Sequence, residues 1–140
     1  MSKVEITVIV DTDKLRGQAP GKIKDRTIIV MTDNQSDSYY DDPTSENYKD
    51  KLHTMVNMGD NLEWSIEALN GGDNVSFVDC QGDDLLNLFK TKPEKEEGTK
   101  KFKAQVRTDL TVKTKVWYTF DIELDGVQYS WDPWGETRNP

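Results

Sequence analysis

Residues 116–134 read VWYTFDIELDGVQYSWDPW. Val116, Tyr118, Phe120, Ile122 and Leu124 alternate with Trp117, Thr119, Asp121, Glu123 and Asp125, the period of a strand whose successive side chains point to opposite faces. Asp125-Gly126 is a two-residue turn that supplies positive φ, the usual short hairpin connection. With Leu124 and Val127 flanking that turn, Ile122 falls opposite Tyr129 and Phe120 opposite Trp131. Cross-strand partners share a face, so both apolar sets land on one side. The pairing predicts a β-rich protein and places Trp131-Asp132-Pro133-Trp134 at the end of the sheet as an aromatic, acidic corner.

The same patterning extends upstream. Val4, Ile6, Val8 and Val10 alternate with Glu5, Thr7 and Ile9 in a first strand that ends at Asp11-Thr12-Asp13. Residues 14–26 hold Gly17, Pro20 and Gly21 and read as a loop. The apolar run TIIVMT at 27–32 suits a central strand. Residues 33–51, with Tyr39-Tyr40, Asp41, Asp42 and Pro43, read as a long polar connection, and long connections are often functional. Further strands are expected at 53–57, 61–69 and 75–80, with Leu62, Trp64, Ile66 and Ala68 facing inward. Residues 85–90 read as a short helical turn or strand, 92–101 as a charged loop, and Phe102, Ala104 and Val106 as the inward side of another strand. Seven to nine short strands separated by turns predict an all-β, jelly-roll-like antiparallel β-sandwich, with residues 1–140 forming a single domain.

Composition agrees. The chain has 140 residues, of which 34% are hydrophobic and 31% charged, and a domain of that size buries roughly 70% of its unfolded surface. A thin two-layer core suits so polar a chain, because each strand needs an apolar residue only at every second position. The net charge of -8 disfavours nucleic acid and anionic membrane surfaces as partners. Cys80 is the single cysteine, so no intramolecular disulfide forms, and it reads as a buried thiol. The apolar run at 4–10 is too short and too polar for a signal peptide, and no stretch approaches a membrane span. A cytoplasmic bacterial protein is the expectation.

Catalytic motifs are missing. His53 is the one histidine and lies in a strand pattern; no nucleophile elbow, zinc motif or phosphate-binding glycine loop occurs. The reading is a protein that is not an enzyme. Oxygen ligands are plentiful, and calcium takes 6 to 8 of them. Asp11 and Asp13, Asp33 and Asn34, and Asp132 end three strands and would form a cation site if those ends met at one pole. Their competing role is to bond their own backbone in turns. Tyr39, Tyr40, Trp117 and Trp134 are candidate stacking residues for a sugar ring, although aromatics in a sandwich also serve packing. Trp117 lies off the inward register of its strand.

Four motifs in order resemble the AidA/PixA inclusion-body protein family of bacteria. They are Val10-Asp11-Thr12, Thr32-Asp33-Asn34, the run from Val56-Asn57-Met58-Gly59-Asp60 through Asn61-Leu62-Glu63-Trp64, and Tyr129-Ser130-Trp131-Asp132-Pro133-Trp134. The centre is shorter than in other members, and the chain has 4 Met where the name-giving protein is methionine-rich. The resemblance implies a jelly-roll-like sandwich and a protein made late in growth or under quorum-sensing control by host-associated bacteria; it brings no catalytic residues. The expected function is a non-enzymatic accessory protein acting through surface binding or self-association as a homo-oligomer, a dimer by edge pairing. The alternative is a lectin-like, carbohydrate-binding module whose partners are glycans and whose one plausible cofactor is calcium.

Overall fold

A computed structural model describes residues 2–40 and 48–138. The elements in chain order are β1 (Lys3–Val10), α1 (Thr12–Arg16), β2 (Gly21–Lys22), β3 (Ile29–Asp33), β4 (Tyr39–Tyr40), β5 (Leu52–Val56), β6 (Asn61–Ala68) and β7 (Val75–Gln81), then α2 (Leu85–Leu88), β8 (Glu94–Lys95), β9 (Phe102–Gln105), β10 (Lys115–Trp117), β11 (Thr119–Leu124), β12 (Val127–Trp131) and β13 (Trp134–Thr137). The strands make a five-stranded sheet, β3-β1-β6-β9-β8, and two four-stranded sheets, β10-β13-β5-β4 and β2-β12-β11-β7. Their inward side chains join one core. The architecture is the expected all-β sandwich, but its sheets are mixed rather than antiparallel. β1 runs parallel to β6, β2 to β12 and β5 to β13.

The closing stretch has the predicted register: Phe120 pairs with Trp131, Ile122 with Tyr129 and Leu124 with Val127. That register continues beyond the last pair. Tyr118 N–H donates to Pro133 C=O at 3.0 Å, and Trp117 pairs with Trp134, Val116 with Gly135 and Lys115 with Glu136. β10 to β13 are therefore one long hairpin bent at Tyr118 and Pro133, whose turn half belongs to one sheet and whose open half to another. Val116, Tyr118, Phe120, Ile122 and Leu124 are all buried, so the inward period survives the bend.

An aromatic cluster fills the space between the layers. Trp64 packs edge-on against Phe89, Tyr118 and Phe120 with centroids 5.5 to 5.9 Å away, and its indole N–H donates to the Tyr118 hydroxyl at 3.2 Å. That bond satisfies the polar end of both rings, as burial requires.

Several local expectations are corrected. Residues 14–26 are not simply loop: Asp11 accepts the Lys14 N–H at 3.2 Å as the N-cap of α1, which buries Leu15. One turn is too short to show a helical period. The run at 27–32 supplies β3, Ile29–Asp33, which is an edge strand instead of a central one. It is apolar because Ile29 and Met31 face the core, while the outer edge is closed by Lys49 C=O, which accepts from Met31 N–H, and by the Tyr40 hydroxyl, which donates to Met31 C=O. The polar connection at 33–51 carries β4, and its residues 41–47, with Asp41, Asp42 and Pro43, lie outside the described residues. Residues 85–88 are helical.

Two glycines occupy positions with structural reasons. Gly59 adopts φ 82° in the turn between β5 and β6. The buried Asp60 carboxylate there accepts from Asn57 N–H at 2.8 Å and from Ser2 N–H at 2.9 Å, tying the turn to the start of β1. Gly135 is a position of close approach, since a Cβ there would stand 2.8 Å from Leu88 Cδ2 and that side chain would have to shift.

Candidate functional site

The outward face of the sheet β10-β13-β5-β4 carries a row of aromatic side chains. Trp117 pairs with Trp134, Trp134 with His53 and His53 with Tyr39. Because paired residues share a face, one residue from each strand contributes to the row. The His53 ring is stacked between the other two, 4.5 Å from Tyr39 at 12° and 5.2 Å from Trp134 at 6°. His53 is buried, whereas Tyr39 is 39% and Trp117 41% exposed.

Polar groups fix the stack. The Tyr39 hydroxyl donates to Glu136 Oε2 at 3.0 Å. Lys115 Nζ lies 4.9 Å from the Trp134 ring centroid and 6.0 Å from that of Tyr39, within reach of a cation–π attraction to both. Rings stacked at the spacing of neighbouring strands turn their faces to each other and their edges to solvent. Trp117 enters none of these ring contacts, so its faces are not taken up by the stack.

Three of the four aromatic candidates thus come together: Tyr39, Trp117 and Trp134. Tyr40 does not. It points inward, where burial and then the Asp33 carboxylate raise its hydroxyl above the usual tyrosine range. His53, which the sequence pattern places in a strand, is the residue that joins Tyr39 and Trp134. The signal for it was non-local, because β5 meets β13 by a parallel pairing that no local pattern announces.

The acidic strand ends do not meet. β3 runs antiparallel to β1 with Asp33 opposite Ile6 and Ile29 opposite Val10. Asp33 and Asn34 therefore sit beside the first half of β1, roughly 16 Å of strand from Asp11. Each group also has local work. Asp13 accepts from Asn70 Nδ2 at 2.7 Å, and Asp33 Oδ1 accepts from Gln35 N–H at 2.8 Å. Asn34 Oδ1 accepts from Glu5 N–H at 3.1 Å, and its Nδ2 donates to Lys3 C=O at 3.1 Å. Asp132, on the bent hairpin, accepts from the Thr119 hydroxyl at 2.7 Å. Among the described residues no group of three or more His, Cys, Asp or Glu is placed to hold a metal ion.

Other chemistry is equally constrained. Cys80 is buried on β7, and burial first, then Asp79, pushes its thiol far above the ordinary cysteine range, away from the thiolate that nucleophilic chemistry needs. Among the described residues no helix is long and apolar enough to cross a membrane.

Comparison with solved structures finds the same fold in the crystal structure of the inclusion body protein PixA from Burkholderia cenocepacia J2315. The match has a TM-score of 0.66 and 14% sequence identity, and covers 97% of this chain and 95% of that one. Comparison with curated proteins finds no match to this sequence. A family of domains matches residues 2–130 directly, and the chain belongs to it: the family described as Domain of unknown function (DUF8788).

Proposed function

We propose that this protein is a non-enzymatic accessory protein of the inclusion-body type, which works inside the cell that makes it by associating with copies of itself. The observation that carries this reading is the end-to-end match to the fold of a protein described as an inclusion body protein. The placement of the reactive side chains supports it: the His53 ring is covered on both faces and the Cys80 thiol is buried. Light scattering of the purified protein, together with microscopy of cells expressing a tagged copy, is the test. Concentration-dependent assemblies and discrete bodies are expected. A monomer at every concentration with diffuse distribution in cells would overturn the reading.

A second reading, carbohydrate binding, is favoured by the one row that holds Tyr39, Trp117 and Trp134. It rests mainly on Trp117, because His53 covers one face each of Tyr39 and Trp134 and Lys115 Nζ stands over both rings. A glycan array with and without a chelator tests it. Binding that Trp117→Ala abolishes is required, and no binding in either condition removes it.

A further inference from the structure

The charge on the sheet β2-β12-β11-β7 is polarised from one edge to the other. Lys22 pairs with Ser130, Ser130 with Asp121 and Asp121 with Asp79, so one transverse row passes from a lysine on β2 to aspartates on β11 and β7. At about 4.8 Å per strand, the row spans roughly 14 Å. Glu123 on β11 adds a carboxylate to the same outward face, two positions from Asp121.

At the β2 end the row opens into a cleft of about 220 Å³. Lys22, Lys24, Arg26 and Lys51 line it against two carboxylates, Asp50 and Asp132, over a floor of Ile23 and Trp131. Four cations in one cleft stand out in a chain of net charge -8. The cleft is also built rather than fortuitous. Asp50 is 5% exposed and holds the Arg26 guanidinium through contacts of 3.1 to 3.3 Å. The same guanidinium lies 4.6 Å over the Tyr48 ring. The two carboxylates pair with two of the four cations, Asp50 with Arg26 and Asp132 with Lys22 at 3.9 Å, so cations remain in excess along the cleft. The cleft keeps cationic character to offer outward.

At the β7 end the balance reverses. Asp79, Asp121 and Glu123, with Glu94 beside them, outnumber the nearby lysines: Lys92 Nζ lies 2.8 Å from Asp79 and Lys95 lines the same groove, while Asp121 accepts from Gln81 Nε2 at 2.6 Å. β7 is the terminal strand of its sheet, so this acidic strip lies at an edge.

The geometry points to a head-to-tail contact in which the Lys22–Lys24–Lys51 cleft of one copy receives the Asp79–Asp121–Glu123 edge of the next. This rests on the self-association proposed above and names its surfaces. Copies of an acidic protein repel one another over most of their surface, so attraction requires the local cationic cleft to meet the acidic strip. Two different surfaces make a heterologous contact, which leaves a free cleft at one end of every assembly and a free edge at the other. Such contacts grow openly unless a ring closes, as a body of many copies needs.

The test compares two charge variants with the wild type by light scattering and sedimentation at low and high salt. The cleft variant is Lys22→Glu/Lys24→Glu/Lys51→Glu and the edge variant is Asp121→Lys/Glu123→Lys. Each is expected to weaken assembly at least tenfold alone, and an equimolar mixture is expected to stop at two copies, joined by the one intact contact. Net charge cannot produce that pattern, since the cleft variant makes the chain more acidic and the edge variant less. Thermal melts check folding, and Gln in place of the three lysines, with Asn and Gln at 121 and 123, gives a milder set. A wild type that never assembles overturns the self-association reading and this inference with it. Wild-type assembly that neither variant weakens, or that only one weakens, overturns this inference alone.

Discussion

Thr119 donates its hydroxyl to Asp132 Oδ1 at 2.7 Å across the bend of the closing hairpin. The two residues belong to the register that pairs Phe120 with Trp131 and Trp117 with Trp134. Between those pairs, Tyr118 N–H donates to Pro133 C=O. Proline can donate nothing in return, so the side-chain bond strengthens the ladder where the backbone has one donor fewer.

Asp132 is accordingly expected to act on stability and not on cation binding. Asp132→Ala should cost about 1 kcal/mol in chemical denaturation, and Thr119→Val a similar amount. Millimolar calcium should leave the melting temperature of the wild type unchanged, because a cation stabilises only a native state that binds it. A calcium-dependent rise in Tm that Asp132→Ala abolishes would show the opposite.

Gly135 and Leu88 form a tighter pair. A methyl group at 135 would meet Leu88 Cδ2 at 2.8 Å, and Leu88 is fully buried under the hairpin. Gly135→Ala should cost about 1–2 kcal/mol by overpacking, and Leu88→Ala about 2–4 kcal/mol by leaving a cavity. The double variant should be less destabilised than the two costs combined, because the new methyl occupies space that the shorter side chain vacates. Strict additivity in equilibrium unfolding would mean that the two positions do not share that space.

The hairpin was legible because its information is local: alternation, a turn dipeptide and the residues that flank it. Extending the same register past Pro133 would also have placed Trp134 beside Trp117 and Asp132 beside Thr119. The parallel pairings were not legible, since β1 with β6 and β13 with β5 join segments far apart in sequence. His53 at the centre of the aromatic row was missed with them, because β13 brings Trp134 to it. Asp33 alongside the first half of β1 was missed because the antiparallel pairing of β1 with β3 spans the long connection between them. The short elements α1, β2, β4 and β8 were hidden for another reason. Five residues or fewer are set by a cap or by a neighbouring strand, and leave no period to read.

The aromatic row makes a prediction that separates its members. Trp117 is 41% exposed and outside the stack, so Trp117→Ala should change stability by no more than about 0.5 kcal/mol. Trp134→Ala removes one face of the His53 sandwich and the ring beneath Lys115, and should cost about 2 kcal/mol. Equal effects of the two substitutions in urea unfolding would contradict the different roles assigned to them.

Glu63 offers a pH prediction with a definite sign. It sits on the outward face of β6 with its side chain 9% exposed, 2.9 Å from Lys101 Nζ, 3.2 Å from Lys3 Nζ and 3.8 Å from Lys103 Nζ. The hydrogen bond from Lys101 is the largest influence and, with that from Lys3, outweighs desolvation and holds the carboxyl below the usual glutamate range. A carboxylate whose pKa is lower in the folded state releases its proton more readily there than in the unfolded chain. Its contribution is therefore complete above the unfolded value of about 4.3 and is lost as pH falls through the lowered folded value. Asp37 beside Arg138, Asp73 beside Arg16 and Asp109 beside Arg107 are lowered too, so the whole protein should lose stability in acid. The share of Glu63 is read as a difference. Glu63→Gln should be less stable than the wild type by about 1 kcal/mol at pH 7, its lysine partners being half exposed and screened. The gap should narrow below about pH 4 as the wild-type carboxyl takes up its proton. A gap that stays constant from pH 7 to pH 3 would show that the Glu63 charge does not stabilise the sheet.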